Sequence, residues 1–228
     1  MSETQVNKLA AFIDHTLLKP DATQEQIDTL CKEAIKYRFA TVCINPCWVS
    51  YAKECLADYP HIGITTVIGF PLGATTSKVK AFEAHQAVED GATEIDMVLN
   101  IGYLKNGFYD AVRDDIAAVV KSSGDKIVKV ILETCLLSEK EIEIACKLSV
   151  EAGAHYVKTS TGFSTGGATK EHIQLMRQTV GPNIGVKASG GVRDQQATLE
   201  LIEAGASRIG ASASIAIVEG KAGNQAGY

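Results

Sequence analysis

The sequence lacks several features that would assign it to particular classes of protein. It has no run of about 18 consecutive apolar residues, the length that a membrane-spanning helix needs, so no membrane partner is expected. Basic residues are in deficit: 22 Lys and Arg against 27 Asp and Glu leave a net charge of −5, and no nucleic-acid partner is expected. The five prolines form no proline-rich linker, so nothing divides the 228 residues into separate domains.

Paired-cysteine motifs are also missing. The six cysteines lie mostly within apolar runs, without Cys-x-x-Cys spacing or a His/Cys cluster: Cys31, Cys43, Cys47, Cys55, Cys135 and Cys146. Pro46, between Cys43 and Cys47, argues against a pair of metal ligands on one helix. Buried, reduced thiols and a polar N-terminus without the apolar core of a signal peptide lead us to expect a cytoplasmic protein with no metal.

Short β-branched runs alternate with longer amphipathic segments along the chain. The runs are four to seven residues long, as expected for buried strands of a parallel sheet: Phe12–Thr16, Thr41–Ile44, Ile64–Ile68, Glu94–Leu99, Ile127–Glu133, Tyr156–Ser160, Gly185–Ser189 and Arg208–Ala211. The segments between them predict helices: Thr23–Tyr37, Lys78–Asp90, Tyr109–Ser122, Ser138–Ala152, Thr169–Val180 and Asp194–Ala204.

Local signals support the helix boundaries. Thr23 and Gln26 have the spacing of a capping box at the start of the first helix. Three later helices run into a Gly-Ala pair, at Gly91, Gly153 and Gly205, and a glycine just past a helix is the usual left-handed stop.

The repeat of strand, loop, helix and glycine stop occurs about eight times. It predicts an α/β fold, a single-domain TIM (β/α)8 barrel over residues 1–228 with a short flexible C-terminal tail at about 220–228. A doubly wound open sheet is the alternative, but it would normally carry a glycine-rich turn after the first strand. The segment Thr16–Pro20 is not such a turn, and Gly-x-Gly-x-x-Gly occurs nowhere.

Two lysines interrupt the apolar runs. Lys158 and Lys187 are 29 residues apart, about one strand–helix repeat, so they should occupy equivalent positions on neighbouring strands. Two ammonium groups so close in a site of low dielectric do not both stay charged, and a neutral lysine is a nucleophile toward carbonyl carbons. The alternative is that one or both side chains face outward with the head group in solvent.

Further polar residues occupy the same runs. Asp96 lies among apolar neighbours and needs a cationic partner if it is buried; two lysines across the barrel would supply one and could share protons with it. A structural ion pair is the alternative. Lys129 and Glu133 would share a strand face, either as part of this cluster or as a structural pair. Asp14 and Thr16, near the first strand, could bind substrate hydroxyls.

The last strands end in loops suited to an anion. TIM barrels commonly hold phosphate in the loops after their last two strands, where bare N–H groups face the ligand. The segments Ser189–Arg193 and Gly210–Ser214 occupy these places, and Thr161 with Gly162 could add donors after the Lys158 strand.

These segments resemble the deoxyribose-phosphate aldolase family. The resemblance runs from about residue 9 to 217 and is carried by Ile13–Pro20, Val42–Pro46, Glu94–Val98, Val157–Phe163, Val186–Arg193 and Arg208–Ser212. It implies a TIM barrel and a class I aldolase, without metal or cofactor, that reversibly cleaves 2-deoxy-D-ribose 5-phosphate to acetaldehyde and D-glyceraldehyde 3-phosphate. It also implies a homodimer.

The resemblance carries roles to individual residues. Lys158 matches the Schiff-base lysine, Lys187 the lysine that perturbs its pKa, and Asp96 the proton-relay aspartate. Phosphate-loop and pocket-lining positions are matched by Gly190, Gly191, Ser212, Asp14, Thr16, Cys43, Lys129 and Thr161. We expect further substrate contacts from Gly162, Arg193 and Gly210.

Two positions at the ends of the matched segments add expectations. Some relatives have a lysine near the phosphate where this sequence has Phe163, so the phosphate should depend more on backbone donors and Arg193. The chain ends in Tyr228, and a C-terminal tyrosine assists proton transfer in some relatives; the alternative is a frayed terminus.

Three other functions fit a barrel of this kind. They are a different Schiff-base aldolase with a ketose donor, a phosphosugar isomerase with a carboxylate base, and a barrel that only binds a sugar phosphate. The isomerase and the binding barrel would form no covalent adduct with an aldehyde, whereas the ketose-dependent aldolase would differ in its donor.

Overall fold

The alternation of apolar runs and amphipathic segments produces a repeated strand–helix unit in the computed structural model, which describes residues 8–221. The strands are β1 (Ile13–Leu17), β2 (Thr41–Ile44), β3 (Gly63–Ile68), β4 (Glu94–Val98), β5 (Ile127–Ile131), β6 (Tyr156–Lys158), β7 (Gly185–Ser189) and β8 (Arg208–Ala211). They are parallel, each pairs with its neighbours in chain order, and β8 pairs with β1 to close the barrel. This confirms the predicted (β/α)8 barrel.

Helices follow the strands and surround the barrel. They are α1 (Gln24–Tyr37), α2 (Val49–Cys55), α3 (Ser77–Asp90), α4 (Ile101–Lys105), α5 (Tyr109–Ser122), α6 (Glu139–Glu151), α7 (Lys170–Val180), α8 (Gln195–Glu203) and α9 (Ser214–Glu219). The predicted capping box at Thr23 and Gln26 is formed, and the three predicted glycine stops all have positive φ. No helix within residues 8–221 is long and apolar enough to cross a membrane.

The apolar core lies between the barrel wall and the helices. Alternate residues of each strand, such as Val42 and Ile44 of β2 or Ile95 and Met97 of β4, are fully buried in this layer. The other residues of the strands face the lumen. Many of those are charged, so the inside of the barrel is held by ion pairs rather than by apolar layers alone.

Several predicted boundaries differ from the structure. The runs Ile127–Glu133 and Tyr156–Ser160 end as strands at Ile131 and Lys158, so Lys158 is the last residue of its strand rather than an interior one. Glu133, two residues after the end of β5, has φ 58°, a left-handed conformation that turns the chain away from the strand direction. The sequence analysis missed α2, α4 and α9, which have seven, five and six residues and therefore show too few turns of apolar periodicity.

Part of the predicted tail lies beyond the structure. Gly220 ends α9 in the left-handed conformation, but residues 222–228, including Tyr228, lie outside the described residues.

Candidate active site

Three lysines converge on one carboxylate inside the barrel. Both Lys158 Nζ and Lys187 Nζ donate to Asp96 Oδ2, at 2.8 and 2.7 Å. Lys129 Nζ donates to the other oxygen, Oδ1, at 2.7 Å. Asp96 is fully buried, and the three lysine side chains are at most 3% exposed. The predicted proximity of Lys158, Lys187 and Asp96 is therefore present.

A second set of charges lies next to the first. The carboxylate of Asp14 is paired with Lys187 Nζ and, at 2.7 Å, with Arg208 Nη1. Arg208 also contacts Glu94, with Nη1–Oε2 at 3.0 Å. Glu94 in turn is 2.6 Å from Lys129 Nζ. Lys187 thus links Asp14 to Asp96, and Lys129 links Glu94 to Asp96.

The strand register explains why the lysines meet. Lys158 and Lys187 are register partners on β6 and β7, which confirms the equivalent positions that their spacing predicted. Asp96 and Lys129 are partners on β4 and β5. Side chains on register partners of parallel strands point to the same face, so both pairs enter the lumen.

The electrostatic environments of the three lysines differ. Burial lowers the pKa of Lys158, the attraction of Asp96 opposes this, and the charge of Lys187 lowers the pKa further, so the net direction is down. Burial also acts on Lys187, but Asp14 and Asp96 raise its pKa well above the ordinary value. The pKa of Lys129 is raised on balance, because Asp96, Asp14 and Glu94 outweigh its burial and the repulsion of Lys187.

The two buried aspartates remain ionised in this environment. Burial alone would raise their pKa values, but Lys187, Lys129 and Arg208 hold the pKa of Asp14 below its ordinary value. The three lysines around Asp96 lower its pKa well below the ordinary value. The site therefore presents charged carboxylates to Lys187 and Lys129 and leaves Lys158 as the lysine that loses its proton most easily.

The absence of a side chain at Gly210 makes room for Lys187. Gly210 lies within β8, in register with Asp14 and Ser189. A Cβ at this position would lie 3.0 Å from Lys187 Cε and 3.1 Å from Ser189 Cβ. The sequence analysis placed Gly210 among substrate contacts; its position in the strand also gives it a packing role beside the lysine.

The other predicted pocket residues surround the same lumen. Thr16 donates through Oγ1 to the backbone oxygen of Asp14 at 2.8 Å, which orients the end of β1. Cys43 is fully buried, and burial raises the pKa of its thiol, which is therefore protonated near neutral pH. Thr161 donates through its hydroxyl to Glu133 Oε2 and through its N–H to Oε1.

The prediction that Lys129 and Glu133 pair with each other, either within the cluster or as a structural pair, was wrong. The left-handed backbone at Glu133 turns its side chain to Thr161, after the end of β6. A strand-like run of residues gives no indication of this turn. The two hydrogen bonds between Thr161 and Glu133 hold the segment that follows Lys158 in place.

The predicted phosphate loops contain exposed residues and glycines with positive φ. Gly162, Gly190 and Gly191 all have positive φ, between 75° and 86°, a conformation that favours glycine. Gly191, Ser212 and Arg193 are exposed, and Arg193 has no ion-pair partner among the described residues. The loops are thus available to an anion.

Sequence reasoning missed two residues of the charge network, Glu94 and Arg208. Glu94 precedes Asp96 by two positions, and the period of two in a strand could have placed both in the lumen. Arg208 is the first residue of β8 and gives no comparable signal. Within residues 8–221, no group of three His, Cys, Asp or Glu side chains could hold a metal ion.

The chain is similar to proteins of one aldolase family. The model of the family described as DeoC/LacD family aldolase matches residues 8–227. The deoxyribose-phosphate aldolase of Brevibacillus brevis is 62% identical over 217 residues, 95% of this chain and 98% of the relative. That of Streptococcus mutans is 59% identical over 221 residues, 97% of this chain and all of the relative.

Solved structures agree with the sequence matches. A deoxyribose phosphate aldolase from Aeropyrum pernix, described as having a unique tetrameric structure, superposes with a TM-score of 0.88 at 35% identity. The match covers 95% of this chain and 92% of that one. The family-model match over nearly the whole chain and the high identities lead to one conclusion: the chain belongs to the DeoC/LacD family of aldolases.

Proposed function

We propose that the protein is a class I aldolase that reversibly cleaves 2-deoxy-D-ribose 5-phosphate to acetaldehyde and D-glyceraldehyde 3-phosphate, in the breakdown of deoxyribose phosphate. The observation that carries the proposal is the pairing of Lys158 with Lys187 on one oxygen of Asp96. Burial and the nearby Lys187 charge both lower the pKa of Lys158. The relatives at about 60% identity support the choice of substrate, since they are named deoxyribose-phosphate aldolases.

In the proposed reaction, Lys158 is the nucleophile. Its neutral Nζ adds to the aldehyde carbon C1 of the open-chain sugar, and the resulting carbinolamine loses water to give an iminium ion. A base removes the proton of the C3 hydroxyl, and the C2–C3 bond breaks. Its electron pair flows to the iminium nitrogen, so glyceraldehyde 3-phosphate leaves and an enamine remains. Protonation at the former C2 and hydrolysis release acetaldehyde and restore Lys158.

Asp96 and Lys187 are the residues that we propose manage these protons. Asp96 Oδ2 lies 2.8 Å from Lys158 Nζ, and Lys187 Nζ lies 2.7 Å from the same oxygen. Both distances are within the range for direct proton transfer. The iminium ion is the electron sink of this mechanism, which therefore needs neither a metal ion nor an organic cofactor. Lys129 keeps Asp96 charged through the opposite carboxylate oxygen.

We assign the substrate contacts to the lumen and its mouth. The residues proposed to line the sugar site are Asp14, Thr16, Cys43, Lys129 and Thr161. The residues proposed to hold the phosphate are Gly162, Gly190, Gly191, Arg193, Gly210 and Ser212. Support comes from the positive φ values in the loops and from the exposed Arg193 side chain, which is available to an anion.

The test is reductive trapping of a Schiff base. Protein treated with acetaldehyde and borohydride should gain one ethyl group, and peptide mapping should place it on Lys158. An ethyl group on Lys187 would keep the reaction class but exchange the two roles. Folded protein without an adduct would refute the proposal and favour an isomerase or a binding protein. Dihydroxyacetone phosphate, tested as a donor in parallel, distinguishes a ketose-dependent aldolase.

Tyr228 remains a proposed proton-transfer residue at the methyl carbon of acetaldehyde. A variant that lacks Tyr228 should exchange acetaldehyde methyl protons with deuterium more slowly, with unchanged thermal unfolding. The control is Tyr228→Phe, which removes only the hydroxyl. If both variants exchange at the rate of the full chain, Tyr228 has no part in the reaction.

We also propose a cytoplasmic location and a homodimer. The six cysteines are all unpaired, as expected in a reducing compartment. Their state in the isolated native protein, measured by mass shift with a thiol reagent, should show six free thiols. Sedimentation at micromolar concentration should give the mass of two chains. A single chain, or the four chains described for the Aeropyrum pernix relative, would contradict the dimer.

A further inference from the structure

The charges in the barrel form a connected series of ion pairs, in which basic and acidic groups alternate. Arg208 lies at the start of β8, and its side chain is 12% exposed. It contacts the carboxylates of Asp14 and Glu94. Those carboxylates contact Lys187 and Lys129, and both lysines contact Asp96. Lys158 lies at the far end of this sequence of contacts.

The charges joined by these ion pairs do not balance. Three carboxylates, those of Asp14, Glu94 and Asp96, face four basic groups: Lys129, Lys158, Lys187 and Arg208. The carboxylate of Glu133 is also buried, but it binds Thr161 and forms no ion pair with these groups in the described structure. An unmatched charge in a buried site is costly, so one basic group is under pressure to lose its proton. Arg208 does not lose it, because a guanidinium stays protonated in proteins.

Among the three lysines, the contacts select the one that becomes neutral. Lys187 has two aspartate partners, and Lys129 contacts Glu94 as well as Asp96. Within residues 8–221, Lys158 has a single carboxylate partner, Asp96, and both Lys158 and Lys187 contact the same oxygen of it. Lys158 is therefore the weakest competitor for a carboxylate.

We propose that Arg208 is a positioning residue for the reaction: its permanent charge, matched to Asp14 and Glu94, is the surplus that leaves Lys158 without a proton. Arg208 acts through these carboxylates and through Lys187 and Lys129, without itself touching the substrate. The inference deepens the proposed function and rests on it for its kinetic readout. The source of the charge imbalance is thus on β8, two strands from β6, which carries the nucleophile.

The charged and titratable groups that surround Lys158 and Arg208 come from seven of the eight strands. In chain order they are Asp14 on β1, Cys43 on β2, Glu94 and Asp96 on β4, Lys129 on β5, Tyr156 on β6, Lys187 on β7 and Arg208 on β8. On β3, Thr65 contributes only a hydroxyl, which donates to Glu94. The ring of Tyr156 lies 5.7 Å from the guanidinium of Arg208. No other strand brings a charge into this set among residues 8–221.

Two substitutions should move the reaction in opposite directions. In Arg208→Met, three carboxylates face three lysines, so Lys158 keeps its proton to higher pH. The acidic limb of kcat/KM should move to higher pH, with a loss on the order of tenfold on that limb. In Glu94→Gln, the cation surplus grows and the limb should move to lower pH. This shift of the limb should be smaller than for Arg208→Met, because Lys129 contacts Glu94 directly and its own pKa responds to part of the lost negative charge.

Rescue variants separate charge from shape. Arg208→Lys keeps the charge and should leave the limb in place. The double variant Arg208→Met with Glu94→Gln removes one charge of each sign and should return the limb toward that of the parent. Arg113→Met is the matched control, since Arg113 is an exposed arginine on α5 that pairs with the neighbouring Asp110 and Asp114, outside the barrel network. A residue needed only for folding would lower activity in each barrel variant without moving the limb.

The protonation of Lys158 can also be measured without turnover. The rate of its acetylation by trace acetic anhydride, followed by peptide mass spectrometry across pH, reports the fraction of neutral amine. Opposite shifts in Arg208→Met and Glu94→Gln support the proposal even if no aldol cleavage is found. Shifts in the same direction, or none in folded protein, overturn it. If Arg208→Met does not fold, Glu94→Gln and the double variant carry the same test.

Discussion

Lys158 and Lys187 donate to the same oxygen atom, Asp96 Oδ2, from adjacent strands of the barrel. A shared acceptor places two basic groups close together, where one positive charge opposes the other. Lys187 has a second carboxylate partner in Asp14, whereas Lys158 has no second one among the described residues. Lys158 is therefore the lysine that gives up its proton more easily. This asymmetry is the physical basis of the proposed division of roles between the two lysines.

Removing the charge of Lys187 should raise the pKa of Lys158. Lys187→Met takes away a positive charge that lowers that pKa, so Lys158 stays protonated to higher pH. Because the neutral amine is the nucleophile, kcat/KM at pH 7 should fall about a hundredfold or more and recover in part as pH rises. The measurement is the pH profile of deoxyribose 5-phosphate cleavage.

The exposed Lys147 on α6 offers a control for that experiment. Its side chain is 61% exposed and, within the described part of the chain, forms an ion pair with Glu143 alone, so Lys147→Met should leave the profile unchanged. An acidic limb in Lys187→Met that stays in place, or moves to lower pH, would show that Lys187 does not set the protonation of Lys158.

Asp96→Asn should reduce both stability and chemistry. The three lysines around Asp96 would lose their shared counter-charge, and the loss of one partner from a buried ion pair costs about 3–5 kcal/mol of unfolding free energy. Borohydride trapping of acetaldehyde should also be lost. Urea unfolding and mass spectrometry measure the two effects separately.

The buried pair between Lys80 and Asp115 is the matched comparison for Asp96. The two atoms are 2.6 Å apart, between α3 and α5, outside the barrel lumen. Asp115→Asn should lower the unfolding free energy in the same way, while adduct formation on Lys158 persists in the folded fraction. Equal loss of trapping in both variants would mean that Asp96 matters only for folding.

Gly210→Ala should displace Lys187. The added Cβ would lie 3.0 Å from Lys187 Cε, and Gly210 has no positive φ, so the strain falls on the lysine rather than on the backbone. We expect at least a tenfold lower kcat, with a stability loss of about 1 kcal/mol or more from overpacking. Steady-state kinetics and thermal unfolding test this.

Gly102, on α4, is the control for that substitution. A Cβ there has open space, with Asn100 Oδ1 no closer than 3.6 Å, so Gly102→Ala should keep activity and gain about 0.5–1 kcal/mol from helix propensity. If Gly210→Ala keeps full kcat, the space beside Lys187 is not required for the reaction.

Phe163→Lys should improve binding of phosphorylated substrate. Phe163 is 43% exposed, at the mouth of the barrel, and its ring meets that of Phe70 edge-on at 5.2 Å. A lysine ammonium there would add a charge next to the proposed phosphate loops. KM for deoxyribose 5-phosphate should fall several-fold at low salt, and the KM for unphosphorylated deoxyribose should not change.

Phe163→Leu removes the ring without adding charge, so its KM values for both sugars should stay similar to those of the parent. An equal improvement for both sugars in Phe163→Lys would indicate that the site at Phe163 does not face the phosphate.

The repeating architecture and the candidate nucleophiles follow from the amino-acid sequence alone. Apolar strands and amphipathic helices alternate, and residues such as Thr23 and Gly91 encode helix ends through local hydrogen bonding and glycine's conformational freedom. The spacing of Lys158 and Lys187 sufficed to place them side by side, because one strand–helix repeat separates register partners.

Which charges meet, and which lysine becomes neutral, depends on the folded barrel. Arg208 and Asp14 are 194 positions apart in the chain and come into contact because the barrel closes between β8 and β1. Glu133 leaves its apparent strand through one left-handed residue and binds Thr161 instead of Lys129. Protonation inside the barrel depends on these long-range contacts, since electrostatic energies in a buried site follow distance in space rather than position in the chain.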